Sequence, residues 1–264
     1  MNEKDLLAEK IFSQYGSIKR ARGPFLYTQK GVRLTDLYLE DGRAILGWGG
    51  LDAFTVLKNV LNRGITGSFK TDFEYRLDKA VSSLLNSERR VYVFSDAKNA
   101  ESAAQNIFGH SAVFWRPWCD VSVPGKLSEM PCVLMVPPLP WAEEIFVLAV
   151  SADVAGALST AGAIKLPAPL SAAVTRSVYD LISALQYRSE KDWFIWDKVL
   201  TKYWTRKGPY LFPKENVLTK ENYSAFTEHC LKCGVVINPV YGEPCIVPFG
   251  ANAGVFSALF KNPF

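Results

Sequence analysis

A chain of 264 residues with 48% hydrophobic and 21% charged side chains has ample length and apolar content to bury a core, which excludes wholesale disorder. Thirty basic against 26 acidic residues leave a net charge of +4, spread along the chain with no basic tract, so the composition predicts no nucleic-acid partner. The charged start Met1-Asn2-Glu3-Lys4-Asp5 and the lack of any apolar run of about 18 residues predict a cytoplasmic protein with no membrane partner.

The first element in chain order is a short amphipathic helix over Lys4–Tyr15, with Leu6, Leu7, Ile11 and Phe12 as its apolar positions. Past Gly23-Pro24, the runs Phe25–Thr28, Val32–Tyr38 and Ala44–Gly47 have strand character. Turn residues Gln29-Lys30-Gly31 and Glu40-Asp41-Gly42 separate them, so an antiparallel meander is predicted. Helices follow over Leu51–Asn62 and Asp72–Leu85. The run Arg90–Phe94, the turn Ser95-Asp96 and the helical stretch Asn99–Phe108 then make a β–α unit. Ala112–Trp115 and Cys132–Val136 are further strand candidates, and Ile145–Val150 reads as a strand buried on both faces. A helix is predicted over Thr175–Tyr187 and another over Lys220–Lys232. Val235–Ile237 and Ile246–Phe249 are the last strands, and Val255–Phe260 a terminal helix.

Some side chains admit two readings. Trp193, Phe194, Trp196, Tyr203 and Trp204 are either a packed hinge or a stacking surface for bases. Cys230-Leu-Lys-Cys233 has redox or half-zinc spacing, yet no second pair completes a tetrahedral set, so ordinary thiols and no metal are predicted. His110 and His229 are the only histidines and read as satisfied or exposed rings.

The order of elements carries a family resemblance. Gly23-Pro24-Phe25-Leu26-Tyr27-Thr28-Gln29-Lys30-Gly31-Val32-Arg33-Leu34-Thr35-Asp36-Leu37 resembles the opening of class III aminotransferases. These are pyridoxal-phosphate (PLP) enzymes of the fold type I transferase superfamily. Ser95-Asp96-Ala97-Lys98-Asn99-Ala100-Glu101-Ser102-Ala103-Ala104 resembles their Ser-Gly-Thr-Glu-Ala-Asn-Glu-Ala-Ala phosphate turn and helix, and Gly234–Pro239 resembles the entry to their small C-terminal domain. The resemblance implies an α/β, PLP-dependent transferase-like fold in a shortened, divergent form. A reduced central α/β lobe at 51–188 would join a small α+β lobe built from 1–50 and 189–264. It also implies a homodimer, PLP as cofactor, an amino-acid-like ligand, and amino-group transfer through a lysine.

The resemblance maps that chemistry onto particular residues. Ser95, Asp96 and Ala97 would hold the cofactor phosphate, although Asp96 replaces the family's glycine and alternatively caps the helix. Asp153 would pair with the pyridinium nitrogen if a bulge restores its register. Otherwise it caps a turn, leaving Ala152 in its place. Lys165 would be the Schiff-base lysine if it is desolvated, and an exposed loop lysine if it is not. After Arg206 there is no arginine to clamp a substrate carboxylate, so an arginine from elsewhere, such as Arg116, or a lysine would have to serve. The altered turn predicts weak or absent PLP binding, and with it a second reading: a non-catalytic aminotransferase-like binding or scaffold module.

Overall fold

The computed structural model describes residues 2–108, 112–119, 126–155 and 162–264, with the side chains of residues 107 and 108 excepted. The N-terminal segment holds α1 (Glu3–Tyr15), β1 (Ile18–Arg22), β2 (Phe25–Thr28) and β3 (Arg33–Asp36). The middle holds α2 (Ala53–Asn62), α3 (Phe73–Leu85), β4 (Arg89–Phe94), α4 (Ala97–Phe108), β5 (Val113–Trp115), β6 (Cys132–Met135), β7 (Phe146–Ser151) and α5 (Ala168–Tyr187). The remainder holds α6 (Asp197–Leu200), β8 (Trp204–Lys207), β9 (Tyr210–Pro213), α7 (Lys220–Lys232), β10 (Val235–Val236), β11 (Cys245–Ile246) and α8 (Ser257–Lys261). Two compact units partition the chain: Met1–Gly49 with Arg188–Phe264, and Gly50–Tyr187.

In the first unit, one sheet has the order β1-β2-β3-β10, antiparallel except that β10 runs parallel to β3. Leu26, Leu34 and Val236 face Leu7 and Ile11 of α1 and Leu231 of α7, as alternation along a half-buried strand requires. Helix α1 starts on a reciprocal cap, with Asn2 accepting from the Asp5 N–H at 2.8 Å. A second sheet, β11-β9-β8, is antiparallel. Trp193, Trp196, Tyr203 and Trp204 are buried inside this unit. Tyr203 and Trp204 stack around Phe226 with ring centres 5.0 and 5.2 Å away, so these aromatics are core and Phe194 alone of the group is exposed.

The meander differs from the one predicted. Its third antiparallel strand is β1, while Ala44–Gly47 forms turns. The N–H groups of Ala44, Ile45 and Gly47 donate to the carbonyls of Leu39, Gly42 and Ala44, which commits three of the segment's four N–H groups to turns rather than to a ladder. Gly47 adopts φ 101°, and a Cβ there would meet the Gly23 backbone at 3.3 Å, so this crossing requires glycine. Before it, Leu39, Glu40 and Asp41 adopt φ of 45°, 50° and 55°, a strained left-handed run without glycine. Buried Asp36 anchors its start. Its Oδ1 accepts from the N–H groups of Tyr38 and Leu39 at 2.9 and 3.1 Å, and its Oδ2 from Trp48 Nε1 at 2.8 Å. Asp41 is held farther along by Asn238 Nδ2 at 2.9 Å and by Lys4 Nζ at 2.5 Å.

In the second unit the sheet order is β4-β7-β6-β5. Strand β7 lies between β4 and β6, antiparallel to both, and Val147–Val150 are fully buried, matching the continuous apolar run. Strand β5 is parallel to β6. Helix α4 covers one face, where Ala100, Ala103 and Ala104 let it approach Phe94, Leu134, Leu148 and Val150 closely. Helix α5 starts at Ala168, seven residues before the predicted Thr175, because Pro169 sits in its first turn, where no N–H is needed. Sequence reading missed the β8–β9 hairpin and placed β11 too far along.

At the start of β4, Arg89 is a buried cation, and among the described residues no carboxylate lies within ion-pair distance of it. Its Nη1 donates to Met130 O at 2.5 Å, its Nη2 to Leu127 O at 3.0 Å and its Nε to Ser87 Oγ at 2.8 Å. These bonds tie the 126–131 segment to β4. Arg89→Met would orphan the carbonyls, and a loss of about 3 kcal/mol in urea denaturation is expected.

Burial raises the Asp36 carboxyl from 3.8 to about 6. The folded chain therefore holds this proton more tightly than the unfolded chain. Its contribution to stability is fully present below about pH 4 and declines, by on the order of 3 kcal/mol, as the pH rises to about 6. Urea denaturation of wild type and Asp36→Asn across this window is expected to show a difference that shrinks with rising pH; a constant difference would contradict the assignment.

Candidate functional site

The sheet of the second unit fixes where the predicted site residues fall. Phe94, Phe146, Met135 and Trp115 lie close to one end of it, because β4, β5 and β6 share a direction and β7 opposes them. Ser95-Asp96-Ala97 extends from that end into α4, and Arg116 and Pro137 follow β5 and β6 there. Ligands of open α/β sheets bind beyond such carboxyl ends, so this end is the candidate site.

Ser95 and Asp96 are exposed, and Ala97 opens α4. Asp96 Oδ1 accepts from the Lys98 N–H at 2.6 Å, and its carbonyl accepts from the Ala100 N–H at 3.3 Å. Asp96 is therefore a helix N-cap, and it consumes a donor that a phosphate would use. Beyond β5, Arg116 lies over the Phe114 ring at 4.6 Å, and Trp118 adopts φ 60°, a strained angle for a bulky residue. Trp118 drew no attention in the sequence, since backbone strain leaves no mark on composition.

Asp153 is not brought to this end. Ala152 N–H donates to Glu88 O, so the turn carrying Asp153 adjoins the opposite end of the β4–β7 ladder. Six residues of strand put it on the order of 20 Å from Asp96. There Asp153 accepts from Ser151 Oγ, which with backbone donors holds its carboxyl below the usual carboxylate range. It caps a turn, and no bulge shifts its register.

Lys165 is not desolvated. Ile164 bridges Val93 on the free edge of β4, its N–H donating to Val93 O at 2.7 Å. Antiparallel pairing there puts Lys165 level with Tyr92, about 10 Å along the strand from Ser95. Lys165 Nζ pairs with Glu74 Oε1 at 2.7 Å, and both side chains are about two-thirds exposed, at 66% and 64%. A cavity of about 380 Å³ opens elsewhere, lined by Arg63, Ile65, Phe69, Lys70, Phe73 and Arg76 among others; none of residues 95–97, 153 and 165 lines it.

The thiols are structural. Burial pushes Cys230 and Cys233 above the ordinary thiol range, the reverse of a reactive pair, and His229 Nε2 bonds Asn262 O at 2.8 Å. Among the described residues no three His, Cys, Asp or Glu side chains gather in a metal-binding group. His110 lies outside the described residues.

Asp96→Ala removes the cap of α4 and is expected to cost about 1 kcal/mol. Lys165→Ala, which deletes an exposed pair, is expected to change stability by less than about 0.5 kcal/mol. Thermal and urea denaturation of the two variants check this contrast.

No protein-family model matches this chain. An uncharacterized protein of Treponema pallidum is 26% identical to it, over 90% of this chain and 91% of the relative. One from Borreliella burgdorferi is 31% identical over 101 residues, 38% of this chain and 37% of the relative. Among solved structures, ornithine δ-aminotransferase of Plasmodium falciparum superposes with a TM-score of 0.66 at 12% identity, covering 99% of this chain and 97% of that one. Acetylornithine aminotransferase of Elizabethkingia anophelis gives 0.64 at 11% identity, covering 98% and 97%. At such identities the likeness concerns backbone alone: the chain has the α/β fold of PLP-dependent aminotransferases.

Proposed function

We propose that this protein keeps the aminotransferase fold without amino-transfer chemistry and serves as a binding or scaffold module. The observation that carries this reading is Lys165, exposed and ion-paired with Glu74 on the edge of β4 rather than enclosed beside Ser95. PLP, when bound, supplies an electron sink for carbanion chemistry. It needs an amine, an acid at the ring nitrogen and N–H donors for its phosphate. Here the candidate acid Asp153 sits at the far end of the sheet, and Asp96 sets a carboxylate where a dianion would approach. These residues do not fit the group.

The fold likeness favours a second reading, a divergent aminotransferase acting through Lys165 on an amino-acid-like substrate. In that case Lys165 would have to leave Glu74. We also propose a homodimer, for which exposed Leu51, Leu61, Phe69 and Tyr75 supply apolar surface. Five free cysteines support a reducing compartment, the cytoplasm.

Titration of the protein with PLP, followed by absorbance and by borohydride trapping with peptide mapping, separates the two readings. Wild type and Lys165→Ala are expected to behave alike, with no label on Lys165. A saturable band fixed to Lys165 and lost in Lys165→Ala would overturn the proposal. Light scattering at micromolar concentration tests the dimer.

A further inference from the structure

The first sheet of the first unit has two faces, and the α1 core occupies one of them. Ala21, Leu26, Leu34 and Val236 lie on that side. Their neighbours along each strand point the other way: Arg20 and Arg22 on β1, Phe25 and Tyr27 on β2, Arg33 on β3. The register aligns them in rows. Arg20 sits opposite Tyr27, Tyr27 opposite Arg33, and Arg22 opposite Phe25.

All three arginines are exposed and both rings are half-buried. The Arg20 guanidinium lies 5.9 Å from the Tyr27 ring centre, and that of Arg33 lies 4.5 Å from the Phe25 ring centre. Among the ion pairs of the described residues, none involves Arg20, Arg22 or Arg33. Three unneutralised cations and two aromatic rings thus share one sheet face, beside an edge strand that also exposes Lys19.

We propose that this face binds single-stranded nucleic acid. A guanidinium lying over a ring keeps its N–H edge free, and that edge matches phosphate oxygens bidentately. Rings and guanidinium planes on an open sheet are also what unpaired bases stack upon. An acidic peptide would satisfy the arginines but leave the rings without a role, and a duplex hides its bases, so the combination favours a single strand. Sequence order conceals this patch: positions 20, 22 and 33 form no basic tract, and only the β1–β2–β3 register gathers them. Every residue involved lies on those strands, so the proposal stands apart from the question of PLP.

The test is fluorescence anisotropy with a labelled oligo(U) of about 12 nucleotides, a length within the range such sites span. Binding is measured across a salt series, with the matching duplex and polyglutamate as competitors. The oligonucleotide is expected to bind and to weaken steeply with salt. Arg33→Gln should reduce the salt slope by about 0.7, and Tyr27→Leu should lower affinity about tenfold without changing the slope. The triple variant Arg20→Glu, Arg22→Glu, Arg33→Glu should lose binding while circular dichroism reports an intact fold. Absence of binding by folded wild type at low salt would overturn the proposal. So would wild-type affinity in the triple variant. Competition by polyglutamate equal to that of the oligonucleotide, with Tyr27→Leu silent, would reassign the face to an acidic protein partner and overturn it as well.

Discussion

Two short hydrogen bonds hold the first unit together. Thr35 N–H donates to Gly234 O and Leu37 N–H to Val236 O, both at 2.8 Å, so β3 and β10 pair in parallel across some 200 residues of sequence. Parallel pairing of such distant segments carries a loop-closure cost that local contacts do not. What offsets it is the apolar layer behind: Leu26, Leu34 and Val236 meet Leu7, Ile11 and Leu231 there. Once β3 is fixed, β2 and β1 follow in register, and Asp36, the last residue of the strand, is positioned to stabilise the left-handed run after it. The arginine–aromatic rows on the outer face are a by-product of the same register, since burying one face decides what the other displays.

A comparable constraint governs the second unit. The six-residue antiparallel ladder between β4 and β7 aligns Arg89 with Ser151 and Phe94 with Phe146. Whatever follows β4 is therefore at one end of the sheet, and whatever follows β7 is at the other. Ser95–Ala97 and Asp153 are separated by strand geometry alone. Lys165 is displaced by a different device, the single bridge between Ile164 and Val93 that places it along the strand edge.

Retention of the aminotransferase fold at 11–12% identity shows how little of a backbone depends on particular side chains. The layered arrangement needs apolar periodicity, small residues where α4 meets the sheet, and turn residues at the crossings. A cofactor site needs three or four groups of fixed chemistry at fixed places. These two requirements respond to different substitutions, and Asp96 illustrates both at once. It serves the fold well as a helix cap, and in doing so it takes up a helix N-terminal N–H that a bound anion would otherwise use.

The sequence by itself determined most of the helices, because apolar periodicity and capping residues are local; α5, which begins seven residues before its predicted start, and the short α6 lay beyond it. Lys220–Lys232 stands where its pattern put it, and α1, α2 and α3 start within two residues of theirs. The buried character of Phe146–Ser151 was equally plain from its unbroken apolar run. Residue order also carried the aminotransferase-like fold class, through turn chemistry at 23–37 and the β–α unit at 89–108. The tertiary structure decided pairing and exposure. Nothing local distinguishes Ala44–Gly47 from a strand until its N–H groups are committed to turns, or marks Ile18–Arg22 as a strand until β2 lies beside it. Lys165 and Asp153 enter as site residues only through the family resemblance, which sequence order carries and strand geometry does not. The β4–β7 ladder puts Asp153 at the far end of the sheet from Ser95–Ala97, the Ile164–Val93 bridge sets Lys165 along the strand edge, and the β1–β2–β3 register draws Arg20, Arg22 and Arg33 together.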